Sequence, residues 1–158
     1  MASIETYRHA AEEYVSYATY IGYACHLAAR TRSYARAPLA VFPLWIEPAV
    51  WLSQIQFLFD RRGQPVSYFT YAFLTEAVEH RLLHDPRVIL HISEWKEGDR
   101  IWVLDMVAMP GYLRSTLSLA ASVFPDADRI CYLRRLPDGQ IKKTVRLART
   151  ANGFRLNR

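Results

Sequence analysis

The sequence predicts a single α/β (α+β) domain, a mixed and mostly antiparallel sheet flanked by helices, and three observations carry that prediction. Apolar residues recur at helical spacing over the first thirty positions and again over residues 112–124. Between and after these stretches lie alternating or continuous apolar runs, each closed by turn residues. The resulting order of helix, hairpin, helix, strand, helix and strands suits helices covering a sheet. With 158 residues, 51% hydrophobic and 22% charged, the chain can bury one substantial core and is too short for two ordinary domains. An aromatic content of 13% excludes disorder outside the last residues, because disordered chains lack the apolar surface to offset their ordering entropy.

From Ser3 to about Arg30, the residues Tyr7, Ala11, Tyr14, Ala18, Ile21, Cys25 and Ala28 align as one helical stripe. Ser3 suits the N-cap, and Glu5 suits the positive end of the helix. Pro38, Pro43 and Pro48 then restrict the chain to short helical turns and extended links. Gln54–Phe59 and Pro65–Tyr71, on either side of Asp60-Arg61-Arg62-Gly63-Gln64, read as an antiparallel hairpin. Thr75 can cap a helix with Glu76 and Glu79 in its first turn and Asp85-Pro86 at its end. Val88–Ile92 reads as a further strand-like run. Ile101–Ala108 is continuous, apolar and rich in β-branched residues, which predicts a central strand buried on both faces. Tyr112–Phe124 reads as a helix with Leu113, Leu117, Ala120 and Ala121 inward. Arg129–Leu133 and Lys142–Leu147 close the sheet around Pro137-Asp138-Gly139.

Several function classes fall away on composition. Cys25 and Cys131 form no metal-type or redox-type pair and read as buried thiols. The N-terminus lacks the pattern of an export signal, and no apolar run approaches the roughly 20 residues that span a bilayer. A soluble cytoplasmic protein is therefore expected. Residues 129–158 hold nine basic residues against Asp138 alone, giving +8, while residues 1–128 carry −3. Such a tail favours an acidic partner or a solvated face. A nucleic-acid reading would rest on that tail alone, and no nucleic-acid partner is expected.

Asp105 is the residue whose position structure alone explains least. A carboxylate inside an apolar strand meets a large desolvation cost unless it is paired or working. Two readings stand: an ion pair with an arginine such as Arg100, or a general base, electrostatic stabiliser or cation orienter beside the turn Met109-Pro110-Gly111. His80 and His84 share a helix face, but no glutamate stands between them as in a zinc-protease helix, and no metal is expected. His26 lies late in the first helix, close in sequence to the linker before Pro38. Nucleophile-elbow and phosphate-cradling glycine patterns are both missing from the sequence.

One larger pattern runs through Gln64-Pro65-Val66-Ser67-Tyr68, Tyr71-Ala72, Trp95, Gly98-Asp99-Arg100, Trp102, Asp105, Ala108-Met109-Pro110-Gly111, Val123-Phe124-Pro125 and Leu133-Arg134-Arg135. On these residues the chain from Pro48 to about Leu147 resembles the RTX toxin-activating lysine acyltransferases, the haemolysin-activating family. The resemblance implies a GNAT-like acyltransferase architecture, with residues 1–36 as N-terminal helix and linker, 48–148 as core and 149–158 as a basic tail. It implies transfer of a fatty acyl group from acyl carrier protein, as co-substrate, to lysines of a protoxin-type target, with no bound cofactor and with a dimer as the oligomeric state. The family's chemistry rests on an aspartate, matched by Asp105, and on a histidine. Laid without gaps upstream from Pro48, the histidine position falls on Tyr34, and a tyrosine is un-ionised near neutral pH. Three alternatives follow: His26 substitutes, Tyr34 takes a changed role, or catalysis is lost and the chain acts as a binding or adaptor protein. The resemblance also makes Arg134, Arg135, Lys142 and Lys143 candidates for docking an acidic carrier. Phe57, Phe59, Phe69, Trp102 and Met106 are candidates for an acyl channel, or else plain core.

Overall fold

The computed structural model describes residues 4–32, 34, 37–135, 141–151 and 153–156, and of residues 4–14, 135 and 156 the backbone alone. The expected cap at Ser3 and the turn at Pro137-Asp138-Gly139 lie outside the described residues. The first helix, α1, spans Ile4–Ala28. Two five-residue helices follow the proline-rich link, α2 at Val41–Trp45 and α3 at Glu47–Trp51. Then come β1 at Ile55–Phe59, β2 at Pro65–Leu74, α4 at Glu76–His84, a 3₁₀ turn at Ile92–Trp95, and β3 at Arg100–Ala108. The chain ends with α5 at Leu113–Val123, β4 at Arg129–Arg135, β5 at Ile141–Thr150 and β6 at Gly153–Leu156.

Among the described residues, six strands form one sheet in chain order, every pair antiparallel except β3 with β4. A parallel pair needs a crossover, and α5 supplies it. Strand alternation then sorts the side chains into two layers. Tyr68, Ala72 and Leu74 of β2 with Trp102 and Val107 of β3 pack under α1 to α4, where Leu27, Ile46, Val78 and Leu82 meet them. Phe69 and Tyr71 with Val103, Ile130 and Leu147 pack on the other face, against Ala120 of α5 and Phe124. The α+β class with a mixed sheet is as the sequence predicts. Local chemistry also acts where expected: the Thr75 side chain caps α4 by accepting from the Val78 amide at 3.3 Å, and Asp60 Oδ1 accepts from the amides of Arg62 and Gln64 in the β1–β2 turn.

Four expectations are corrected. Val88–Ile92 alternates in burial, with Val88 and Leu90 buried and Ile89 exposed, yet it forms no strand, and its end turns into the 3₁₀ turn that His91 caps by accepting from the Ser93 amide. Leu113 is exposed rather than inward, whereas Leu117, Ala120 and Ala121 face the core as expected, with Thr116 buried as well. The middle strand β3 is only half-buried from Leu104 to Met106, because β4 pairs with it solely at Trp102 and Val103. The basic tail contains β6, which pairs with β5 and buries Phe154. Gly153, at φ 101°, opens this strand opposite Thr150, in a backbone conformation that favours glycine.

Candidate active site

The parallel pair β3–β4 is joined at two positions only, Trp102 opposite Cys131 and Val103 opposite Tyr132. Beyond them both strands line a cavity of about 470 Å³ instead of hydrogen-bonding to each other. Leu104 to Ala108 form one wall and Tyr132 to Arg134 the other, while Tyr34, Trp45 of α2 and Leu82 of α4 close it from the helical side.

A β-bulge directs the carboxylate. Along β2, Thr70 faces Asp105 but the next residue, Tyr71, faces Val103, so Leu104 is an extra residue on β3. Trp102 and Asp105 are three positions apart and would point to opposite faces of a regular strand. The bulge puts both on the face with Tyr68, and bulges commonly re-aim a side chain in this way.

Two phenols converge on Asp105. Tyr34 Oη donates to Asp105 Oδ2 at 2.5 Å, and Tyr68 Oη donates to the same oxygen at 2.6 Å. Tyr68 is inward on β2 by alternation. Tyr34 arrives by a run of turns after α1, in which the Thr31 amide donates to the Ala28 carbonyl and the Tyr34 amide to the Thr31 carbonyl. Its ring also packs against Phe42, with centroids 6.2 Å apart.

Burial raises the Asp105 carboxyl above the usual carboxylate range, while the Tyr34 and Tyr68 hydroxyls and the Met106 amide pull in the opposite direction. Both phenols are driven far above the ordinary tyrosine value, first by burial and then by the negative charge of Asp105. Tyr132 is raised as well, chiefly by burial. The arrangement therefore offers one carboxyl raised above its ordinary range, held by two hydroxyls that keep their protons.

The residues singled out in the sequence fall unevenly around this centre. Asp105 and Tyr34 meet. His26 is exposed on α1, and among the described residues the side-chain hydrogen-bond partners of Asp105 are Tyr34 and Tyr68. Arg100 is not the partner of Asp105 either; it pairs with Glu76 at 3.2 Å and Glu79 at 3.1 Å on α4. Arg134 lines the cavity, and Lys143 stands opposite it on β5. Lys142 is exposed beside Lys143, and the Arg135 side chain is outside the described residues.

Of the channel candidates, Met106 lines the cavity. Phe69 belongs to the opposite face, and Trp102 is buried with its Nε1 donating to Glu79 at 2.8 Å. Phe57 and Phe59 sit under Tyr23 of α1. Tyr68 is the site residue that sequence reasoning missed, and the available signal was an inward tyrosine whose hydroxyl must find a partner. His80 and His84 stack with centroids 4.1 Å apart, and among the described residues no cluster of three His, Cys, Asp or Glu could hold a metal ion.

The chain matches the model of the RTX toxin acyltransferase family over residues 14–149. It is 29% identical over 108 residues to the lysine-acyltransferase RtxC of Vibrio cholerae, covering 65% of this chain and 70% of the relative. It is 32% identical over 112 residues to the RTX-II toxin-activating lysine-acyltransferase ApxIIC of Actinobacillus pleuropneumoniae, covering 62% and 67%. The protein-lysine myristoyltransferase HlyC of Escherichia coli is 27% identical over 106 residues, covering 67% and 61%.

Proposed function

The chain belongs to the RTX toxin acyltransferase family, and on that premise we propose that it moves a fatty acyl group from the thioester of an acyl carrier protein onto lysines of a protein target. The carrying observation is Asp105, a carboxyl of raised pKa on the wall of a cavity that apolar side chains line on one side and Arg134 on the other. A lysine arrives at neutral pH as an ammonium and cannot attack a carbonyl until it loses a proton. Asp105 is the group placed to attract that cation and take its proton, and a base whose pKa lies nearer the working pH does so more effectively. Tyr34 cannot serve, because a phenol raised above its normal value holds its proton throughout the physiological range.

Val41, Trp45, Leu82 and Leu104 give the acyl chain an apolar wall. Arg134 on the cavity wall, with Lys143 opposite it on β5 and Lys142 next in the chain, offers positive charge for an acidic carrier. The names of the relatives as lysine-acyltransferases and protein-lysine myristoyltransferases support the acceptor and the acyl class.

The test is to mix the purified chain, an acyl carrier protein charged with a fatty acyl thioester, and an RTX-type protein substrate. Mass spectrometry of the substrate is expected to show acylated lysines. Asp105→Asn is expected to lower the rate by about 10²- to 10⁴-fold, the usual range for losing a general base. Transfer by Asp105→Asn at the wild-type rate would overturn the role of Asp105, and no transfer by wild type would overturn the reading itself.

A further inference from the structure

We propose that Tyr34 is the oxyanion donor of this site, released to the reacting carbonyl by the proton that Asp105 takes up, and that Tyr68 only positions the carboxylate. The proposal rests on the acyl-transfer reading and deepens it. Both phenols donate to the same oxygen of Asp105, but they differ in exposure. Tyr68 is fully buried and lines no part of the cavity, whereas Tyr34 is half-buried and forms part of its wall. Of the two phenols that hold Asp105, Tyr34 is the one that can meet a substrate atom without the sheet opening.

The resting hydrogen bond explains the timing. A carboxylate is a strong acceptor and a neutral carboxyl a weaker one, since hydrogen bonds to an ionised partner are roughly twice as strong as neutral ones. When the lysine ammonium passes a proton to Asp105, the hold of that carboxyl on the Tyr34 hydroxyl weakens. The freed amine attacks the thioester carbon, a C–N bond forms, and the carbonyl π pair moves onto oxygen. Negative charge thus appears in the cavity as the Tyr34 hydroxyl loses its best acceptor, and the hydroxyl turns its hydrogen bond to the oxyanion without giving up its proton. On collapse the C=O bond re-forms and the C–S bond breaks. The thiolate takes the second proton from nitrogen, and Asp105 returns its own to solvent. The balance is one ammonium and one thioester in, and one amide, one thiol and one proton out. The shift that pushes both phenols far above their ordinary values fits a donor that stays protonated beside two successive anions.

The experiment compares Tyr34→Phe, Tyr34→His and Tyr68→Phe with wild type in steady-state transfer across pH. Phenylalanine keeps the ring contact with Phe42, and histidine restores a ring donor. Tyr34→Phe is expected to lose about 10²- to 10³-fold in kcat, as when one oxyanion donor is removed, with KM within about twofold. Tyr34→His is expected to recover at least tenfold of that loss. Tyr68→Phe is expected to lose less than tenfold in kcat and to move the acid limb of kcat/KM to higher pH, because a hydrogen bond favouring the charged carboxyl is gone. The other groups facing Asp105 are Tyr34 from the helical side and Tyr132 and Arg134 across the cavity, and none of them changes in that variant. Wild-type kcat in Tyr34→Phe, or a loss carried by KM alone, would overturn the proposal while leaving the acyl-transfer reading intact. So would a Tyr68→Phe loss as large as that of Tyr34→Phe with no movement of the acid limb. Absence of transfer by wild type would overturn the reading beneath it.

Discussion

A carboxyl group that burial makes reluctant to ionise destabilises the fold that contains it, and Asp105 stands in that position. Its folded pKa lies above the unfolded value. Below about pH 4, the unfolded aspartate value, both states are protonated and the residue costs nothing electrostatically. As pH rises the unfolded chain ionises first, so stability falls until the folded carboxyl ionises too, and the penalty is constant beyond that. Asp105→Asn removes the charge but keeps an oxygen for the two phenols. Its thermal midpoint is expected above wild type at pH 7, with the gap closing as pH falls towards 4, while transfer is lost. A lower midpoint at pH 7 would show that the carboxylate is net stabilising. Asp105 was legible in the sequence because its neighbours on β3 are apolar. Tyr34 was legible only through its spacing from Pro48, which says where a residue falls and not what it touches. Tyr68 was legible only as part of the family pattern and as an inward tyrosine, which reads equally well as core until its hydroxyl's partner is seen.

Among the elements, most of the pattern from Trp95 to Asp105 is a joint between β3 and α4 rather than chemistry. Trp95 and Trp102 are buried, Arg100 pairs with the first turn of α4, and the Trp102 indole donates to Glu79. Gly98 lets the loop approach the backbone where β2 passes into α4, and its amide donates to the Phe73 carbonyl at 2.8 Å. A Cβ there would lie 1.9 Å from the Leu74 carbonyl carbon and 2.2 Å from the Thr75 nitrogen. Backbone atoms cannot swing aside, so Gly98→Ala is expected to cost about 2–3 kcal/mol, roughly 4–12 °C in Tm by calorimetry. An unchanged midpoint would mean that this contact is loose in solution. The hairpin and α4 were legible because turn and cap residues specify them locally. The bulge at Leu104 was not, because an extra residue shows only against the partner strand, and β6 was hidden because the charge of the tail masked a four-residue strand.

On the scale of the whole molecule, charge is segregated in the chain: +8 over residues 129–158 and −3 over the rest. The fold gathers part of this charge, because the pairing of β4 with β5 leaves Arg134, Lys142 and Lys143 exposed at one end of that pair. Arg134 joins that surface to the cavity, so under the proposed function a carrier drawn to it would arrive beside Asp105. The sequence showed the basic segment, but only the strand register showed that Lys143 stands opposite Arg134, a residue of the cavity wall. Exposed charges act through water and are screened over about 10 Å at 0.1 M salt. They should therefore affect encounter more than the chemical step. Reversing Lys142 and Lys143 to Glu together is expected to raise KM for the acyl carrier about tenfold at low salt and to leave kcat within about twofold, since one factor of ten corresponds to about 1.4 kcal/mol. The wild-type KM is expected to rise with salt and to converge on that of the double variant near 0.5 M. Equal KM values at low salt would place the carrier on another face, whereas a fall in kcat at constant KM would place the lysines in the reacting geometry rather than in docking.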